Sequence, residues 1–203
     1  MEEIPEAEKV ELFVDLNCPF CFCQVERVMR LRLFGRVLWK GIEHEPSLPL
    51  IAELDHPLAK SIREELRLLQ EREPDFAVID PGVRPNVRLA LDALTFIQEV
   101  EPTLFWPMLQ KFYRALWRDG LDISRADVVF ALAERNGLKL SVTEEQMKRR
   151  SSYTEAWLKG PFEERLPAAR SHHGAVLLGL NEEKRFELFL NSGLFSKRDG
   201  RSC

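Results

Sequence analysis

The sequence predicts an α/β fold in which a long helical block interrupts a small sheet, and three observations point that way. Val10, Leu12, Val14 and Leu16 alternate with Glu11, Phe13 and Asp15, the two-residue period of a strand. A helical pattern follows, and then a second apolar run from Val37 to Ile42 after a short link. Strand, helix and strand so closely joined form a right-handed parallel unit. Strand character then disappears until about Ala175, and the stretch between reads as helix.

The elements follow in order. The first helix carries Phe22, Val25, Val28, Met29 and Leu33 at helical spacing, and Gly35 ends it. Leu58 to Gln70 is a second helix, and the proline-rich stretch from Pro74 to Pro85 is a loop. Asn86 to Val100 and Thr103 to Trp117 are further helices. The aromatic stripe of the latter (Phe105, Trp106, Phe112, Trp117) reads as core packing. Ser124-Arg125-Ala126-Asp127 is a capping signal for a helix that Gly137 closes, and Thr143-Glu144-Glu145-Gln146 opens one that runs to about Lys159. Ala175 to Leu180 and Arg185 to Leu190, about the polar turn Asn181 to Lys184, make a terminal hairpin.

At 203 residues the chain is one large domain or a small one carrying an insert. Its 45% hydrophobic and 31% charged fractions are those of a globular protein. A net charge of −4 argues against a nucleic-acid partner, and no apolar run reaches the ~20 residues of a membrane span. The first residues, Met1-Glu2-Glu3-Ile4-Pro5-Glu6, are acidic and unlike a signal peptide, so a cytoplasmic location is expected.

The chemistry-bearing feature is Cys18-Pro19-Phe20-Cys21, where the first strand gives way to the first helix. Cysteines three apart on a helix lie about 60° apart around its axis, on one face. The first, at the helix N-terminus, meets unpaired N–H groups and the positive end of the macrodipole, which stabilise a thiolate. Pro19 suits the first helical position because its ring sets φ and it has no N–H to leave unpaired. Two other readings compete with redox chemistry: half of a zinc site, and plain burial. No second Cys-x-x-Cys or Cys/His pair at similar spacing follows to complete a zinc site, and burial alone does not place such a pair at a helix start. Cys23 points away from the pair, into the core, and Cys203 lies in a polar tail. His44 and His56, in the segment after the second strand, read as surface residues.

Asp15-Leu16-Asn17-Cys18-Pro19-Phe20-Cys21 resembles the D-x-x-C-P-[WF]-C opening of the FrnE-type oxidoreductases. These are a branch of the DsbA-like thioredoxin superfamily, related to the 2-hydroxychromene-2-carboxylate isomerases and kappa-class glutathione transferases. Pro85 to Leu91 is similar to a helix start in the insert of that branch, and Leu121-Asp122-Ile123-Ser124 to a segment before its last insert helices. The resemblance implies a thioredoxin-like fold with a large α-helical insert: residues 8–56 and 165–195 form the thioredoxin-like domain and 57–164 the inserted helical domain. It implies a thiol–disulfide oxidoreductase in which Cys18 is the nucleophile and Cys21 resolves the mixed disulfide. In the isomerase and transferase relatives a serine usually takes the first position and activates glutathione, so Cys18 favours the disulfide branch. The alternatives are a glutathione-dependent isomerase or transferase, and a metal- or cluster-binding module without catalysis.

Three departures from the family pattern bear on the site. The family has a cis-proline just before its third strand, and the stretch assigned there, Ser171-His172-His173-Gly174-Ala175, holds none. The carboxylate that thioredoxins bury six residues before the first cysteine is replaced by Leu12, so proton transfer from Cys21 needs another group or water. The family's C-terminal helix has no counterpart after Gly193, which leaves one sheet face for a partner or a second subunit of a homodimer to cover. Under this resemblance His172 or His173 lies beside the cysteines, against the plainer reading of an exposed loop. There one of them, with Pro19 and Phe20, touches substrate or stabilises the thiolate. No resident metal is expected; Cys18, Cys21 and His173 are the set that would hold zinc or an iron–sulfur cluster. No other cofactor is expected beyond glutathione as co-substrate, and the partners are protein or small-molecule thiols and disulfides.

Overall fold

The computed structural model describes residues 9–54, 56–140, 167–170 and 176–178. β1 (Val10–Val14) and β2 (Val37–Gly41) pair in parallel, in register from Val10↔Val37 to Val14↔Gly41. Between them α1 (Pro19–Arg30) turns Cys21, Phe22, Val25 and Val28 into the core. The helix stops before Gly35: Leu31 caps it and Arg32 reverses the chain at φ 54°, while Gly35 sits in a short 3-10 turn, Phe34–Arg36. A Cβ at Gly41 would overlap the Trp39 ring and meet Leu91, so close packing requires glycine there.

Four helices follow. In α2 (Pro57–Arg72), the half-buried His56 caps the N-terminus, its Nδ1 accepting from the Leu58 N–H at 3.3 Å. α3 (Arg88–Val100) opens where Asn86 Oδ1 accepts the Arg88 N–H at 3.0 Å. α4 (Pro102–Trp117) is the core helix, burying Phe105, Met108, Leu109, Phe112, Tyr113, Leu116 and Trp117 against α1 and α3. Most of the aromatic stripe is thus core, with Trp106 partly buried at its edge. α5 (Ala126–Glu134) starts at Arg125 without a side-chain cap, because the Ser124 hydroxyl is donated to Asp122 Oδ1 at 2.6 Å instead. Past its end Gly137 takes φ 77°, and the Leu138 N–H returns to the Ala133 carbonyl at 3.1 Å. Among the described residues no helix is long and apolar enough to cross a membrane.

The returning strands include one that the sequence pattern does not predict. β3 (Ala168–Arg170) pairs antiparallel with β1, from Glu11↔Arg170 to Phe13↔Ala168. β4 (Val176–Leu178) pairs antiparallel with β3, giving the sheet order β2-β1-β3-β4. The strand expected at Ala175 to Leu180 is β4, and it pairs with a preceding strand that the sequence pattern does not predict. Its partner is Ala-Ala-Arg, too short and too poor in β-branched residues to show a strand period. The expected helix from Thr143, the second hairpin strand from Arg185, and Cys203 lie outside the described residues.

One packing defect yields a stability prediction. Asp92 on α3 has a buried Oδ2 without a hydrogen-bond partner. Burial, and then the charge of nearby Glu43, push its carboxyl up from 3.8 to about 7 against the pull of Arg88. A native acid with a raised pKa binds its proton more tightly than the unfolded chain does, so stability falls as pH rises from about 4 to about 7. Asp92→Asn is expected to stabilise the protein at pH 8 by on the order of 1 kcal/mol, after discounting for partial exposure. The gain disappears towards pH 4, where both side chains are neutral. Urea midpoints of the two proteins at both pH values check it.

Candidate active site

The site forms where β1 runs out. Asp15, Leu16 and Asn17 turn the chain into α1, and Cys18 is the N-cap residue of that helix with extended backbone (φ −105°, ψ 114°). Its sulfur accepts the Cys21 N–H at 3.4 Å, so the thiol occupies the place where capping side chains satisfy orphan donors. Pro19 holds the first helical position as the sequence suggests, and no acidic residue in the first turn opposes a thiolate.

Electrostatics separate the two cysteines. The Cys21 hydrogen bond draws the Cys18 thiol below its ordinary value of 9.0, against burial and against Glu65, with the charge of His44 assisting. Burial pushes Cys21 well above the same value, and the bond with Cys18 adds to it. The two thiols are thus electrostatically unequal, and ionisation is favoured at Cys18 over Cys21. Cys18 is 8% exposed and Cys21 fully buried, so attack from outside falls on Cys18. Cys23 lies in the core as expected, where burial carries it up to about 12.

The groups around this pair are ones the sequence reading placed elsewhere. Leu12 is core, but Asp15 supplies a wholly buried carboxylate three residues nearer the cysteines. Asp15 Oδ1 accepts the Asn17 N–H at 2.7 Å, and Oδ2 accepts the His44 N–H at 2.7 Å and lies 2.6 Å from His44 Nδ1. His44 is thus no surface residue: its side chain is 16% exposed and ion-paired. Burial pulls the His44 ring down, yet the Asp15 carboxylate and the Cys18 charge raise it to about 9, while Arg84 holds it back. The Arg84 guanidinium reaches from the other side, 3.3 Å from His44 Nε2, and is itself buried against Glu65 at 2.8 Å and the Ser61 hydroxyl at 2.5 Å. A sequence signal for His44 existed. β2 runs parallel to β1, so residues just past the end of β2 share a sheet edge with those past the end of β1, where ligands of α/β folds bind.

A second correction concerns proline. β3 begins at Ala168, directly after Pro167, and Ala168 pairs with Phe13. That register puts Pro167 level with the end of β1, at the edge from which Cys18 departs. The residue before the third strand is therefore a proline, and Ser171 to Gly174 lie after that strand instead. The misplacement came from taking the wrong strand as third. His172 and His173 lie outside the described residues. Among the described residues no group of three or more His, Cys, Asp or Glu side chains is placed to hold a metal ion. Phe20 is partly buried, with the Arg72 guanidinium 5.7 Å above its ring.

A parallel strand–helix–strand unit, an antiparallel return pairing on β1 and a Cys-x-x-Cys capping the first helix now stand together, and solved structures share the fold. A probable DsbA oxidoreductase from Streptomyces coelicolor superposes with a TM-score of 0.68 at 15% identity, covering 96% of this chain and 93% of that one. This chain has the DsbA-like thioredoxin fold. A proposed protein disulfide isomerase from Nitrosomonas europaea aligns at 0.65 and 15% identity, over 93% of this chain and 98% of its own. A 2-hydroxychromene-2-carboxylate isomerase, at 0.58 and 13%, covers 95% of this DsbA-like chain and 99% of its own. No protein-family model matches the sequence, and no curated protein matches it. At these identities the likeness concerns the fold, within which α2 to α5 are the helices intervening between β2 and β3.

Proposed function

We propose that the protein is a thiol–disulfide oxidoreductase acting through Cys18 and Cys21. The observation that carries this reading is the division within the pair: Cys18 is an N-cap thiol drawn towards its thiolate, and Cys21 a buried thiol held protonated. The Cys18 thiolate attacks a substrate disulfide, forming a mixed disulfide and expelling one thiolate. Cys21 loses its proton and attacks the Cys18 sulfur, and the second substrate thiolate leaves. The substrates proposed are protein or small-molecule disulfides, with glutathione as a regenerating thiol. Pro167, level with the end of β1, precedes the third strand as the proline that receives substrate backbone does in the resembling family.

Insulin reduction with dithiothreitol or glutathione tests the reading. Cys18→Ser is expected to lose turnover entirely, and Cys21→Ser to retain one attack and accumulate a mixed disulfide visible by mass spectrometry. Unchanged turnover in both variants sinks it. A glutathione-dependent isomerase or transferase shows the opposite pattern, with glutathione binding and full activity in Cys21→Ser.

A further inference from the structure

His44 stands between groups that want different things from its ring. Asp15 Oδ2, at 2.6 Å, is a carboxylate with no hydrogen to give, so Nδ1 carries one in every state of the ring. Its second bond to the His44 N–H fixes the ring's approach, and a third, from the Asn17 N–H to Oδ1, holds the carboxyl group in place. On the far side Arg84 presents only donors, 3.3 Å from Nε2. A neutral ring accepts a hydrogen bond from Arg84 there, while a doubly protonated ring sets N–H against N–H. Arg84 cannot swing away cheaply, because Glu65, Ser61 and the Leu58 carbonyl hold it in a buried position. Among the described residues, the charged and titratable groups bearing on His44 are Asp15 after β1, Cys18 at the start of α1 and Arg84 before α3, the last tied to Glu65 on α2. The Cys18 charge comes and goes with the redox state.

We propose that His44 carries a redox-linked proton, doubly protonated while Cys18 is a thiolate and losing its Nε2 proton to become Arg84's acceptor when Cys18 and Cys21 join in a disulfide. The inference rests on the oxidoreductase reading and completes its balance. The reduced site holds a thiolate, a thiol and an imidazolium; the oxidised site holds a disulfide and a neutral imidazole. Two electrons pass to the substrate disulfide, whose S–S bond breaks as the Cys18–Cys21 bond forms. The two substrate thiolates take one proton from Cys21 and one from His44, leaving as two thiols, and the site is neutral in these groups before and after. His44 is a positioning and proton-holding residue, and Asp15 orients it.

Nitrogen-15 NMR of the His44 ring, titrated in reduced and oxidised protein, tests this directly. The oxidised ring is expected to lose its second proton at least one pH unit below the reduced ring; equal midpoints overturn the proposal. Cys18→Ser removes the thiolate without oxidation, and its ring is expected to titrate like the oxidised form; titration like the reduced wild type overturns the proposal. Between the two midpoints the wild-type couple takes up two protons with its two electrons, as thiol glutathione does, so its potential is expected to fall by about 59 mV per pH unit while its equilibrium against glutathione stays level. The His44→Gln couple takes up one proton, so its potential falls by about 29.6 mV and its equilibrium against glutathione changes tenfold per pH unit. Equal slopes in the two proteins count against the proton. A pair that never equilibrates with glutathione sinks the oxidoreductase reading itself, and the Cys18→Ser titration still decides the behaviour of the ring.

Discussion

Trp117→Ala is expected to cost about 3–5 kcal/mol, enough to leave a typical domain only marginally folded. Trp117 is fully buried at the end of α4, and truncation leaves a cavity that the surrounding aromatic core fills only in part. The indole N–H also donates to the Leu16 carbonyl at 2.8 Å, in the turn that leads to Cys18. Removing it orphans a buried acceptor, which adds to the cavity cost. Trp117→Phe separates the contributions, keeping most of the volume and losing the donor. Urea midpoints for the three proteins check the order: wild type highest, Phe next, Ala lowest. An alanine variant as stable as wild type would show that the core does not depend on this indole.

The second large effect is at Arg84, whose side chain is 2% exposed in its pair with Glu65. Bidentate pairing with that carboxylate, together with Ser61 and the Leu58 carbonyl, offsets the cost of burying the charge. Arg84→Met leaves Glu65 without its partner and is expected to cost about 3–5 kcal/mol. Arg84→Lys recovers only part of this, because a lysine ammonium does not reproduce the planar fork. The sign at His44 is also determined. Arg84 holds the ring's pKa down, so in Arg84→Met the imidazolium persists to higher pH than in wild type. The ring's NMR titration reads that shift, and a midpoint at or below wild type would contradict it.

The parts of this molecule that could be read from sequence are those with a local physical signature. Alternation in Val10 to Val14, helical spacing in Phe22, Val25 and Val28, and the proline after Cys18 each report the backbone they sit on. β3 lacked such a signature: two alanines and an arginine show no period, and missing them moved the third strand and hid Pro167. The expected buried carboxylate was sought at Leu12, on the strand, whereas the chain carries it at Asp15, beyond the strand's end. His44 was misread for a different reason. It lies among prolines and acidic residues, a composition that looks like surface, and only the parallel pairing of β2 with β1 brings it to Asp15. Long-range partners such as Arg84 leave no local trace, because their neighbours are chosen by the fold.

The bonds from α4 to the cysteine turn have a consequence for how the chain can be divided. The Tyr113 hydroxyl donates to the Asp15 carbonyl at 2.9 Å, the Trp117 indole to that of Leu16 at 2.8 Å, and the Asn17 amide to the Pro85 carbonyl at 2.5 Å. Helices that enter the topology as an interruption thus furnish the scaffold for the turn they interrupt. Excising them would not return a smaller working ancestor, since the turn's carbonyls would lose their donors and Asn17 its acceptor. The turn that carries Cys18 is thus held from both sides, by the strand it leaves and by the helices that follow, and local opening of α4 would loosen it.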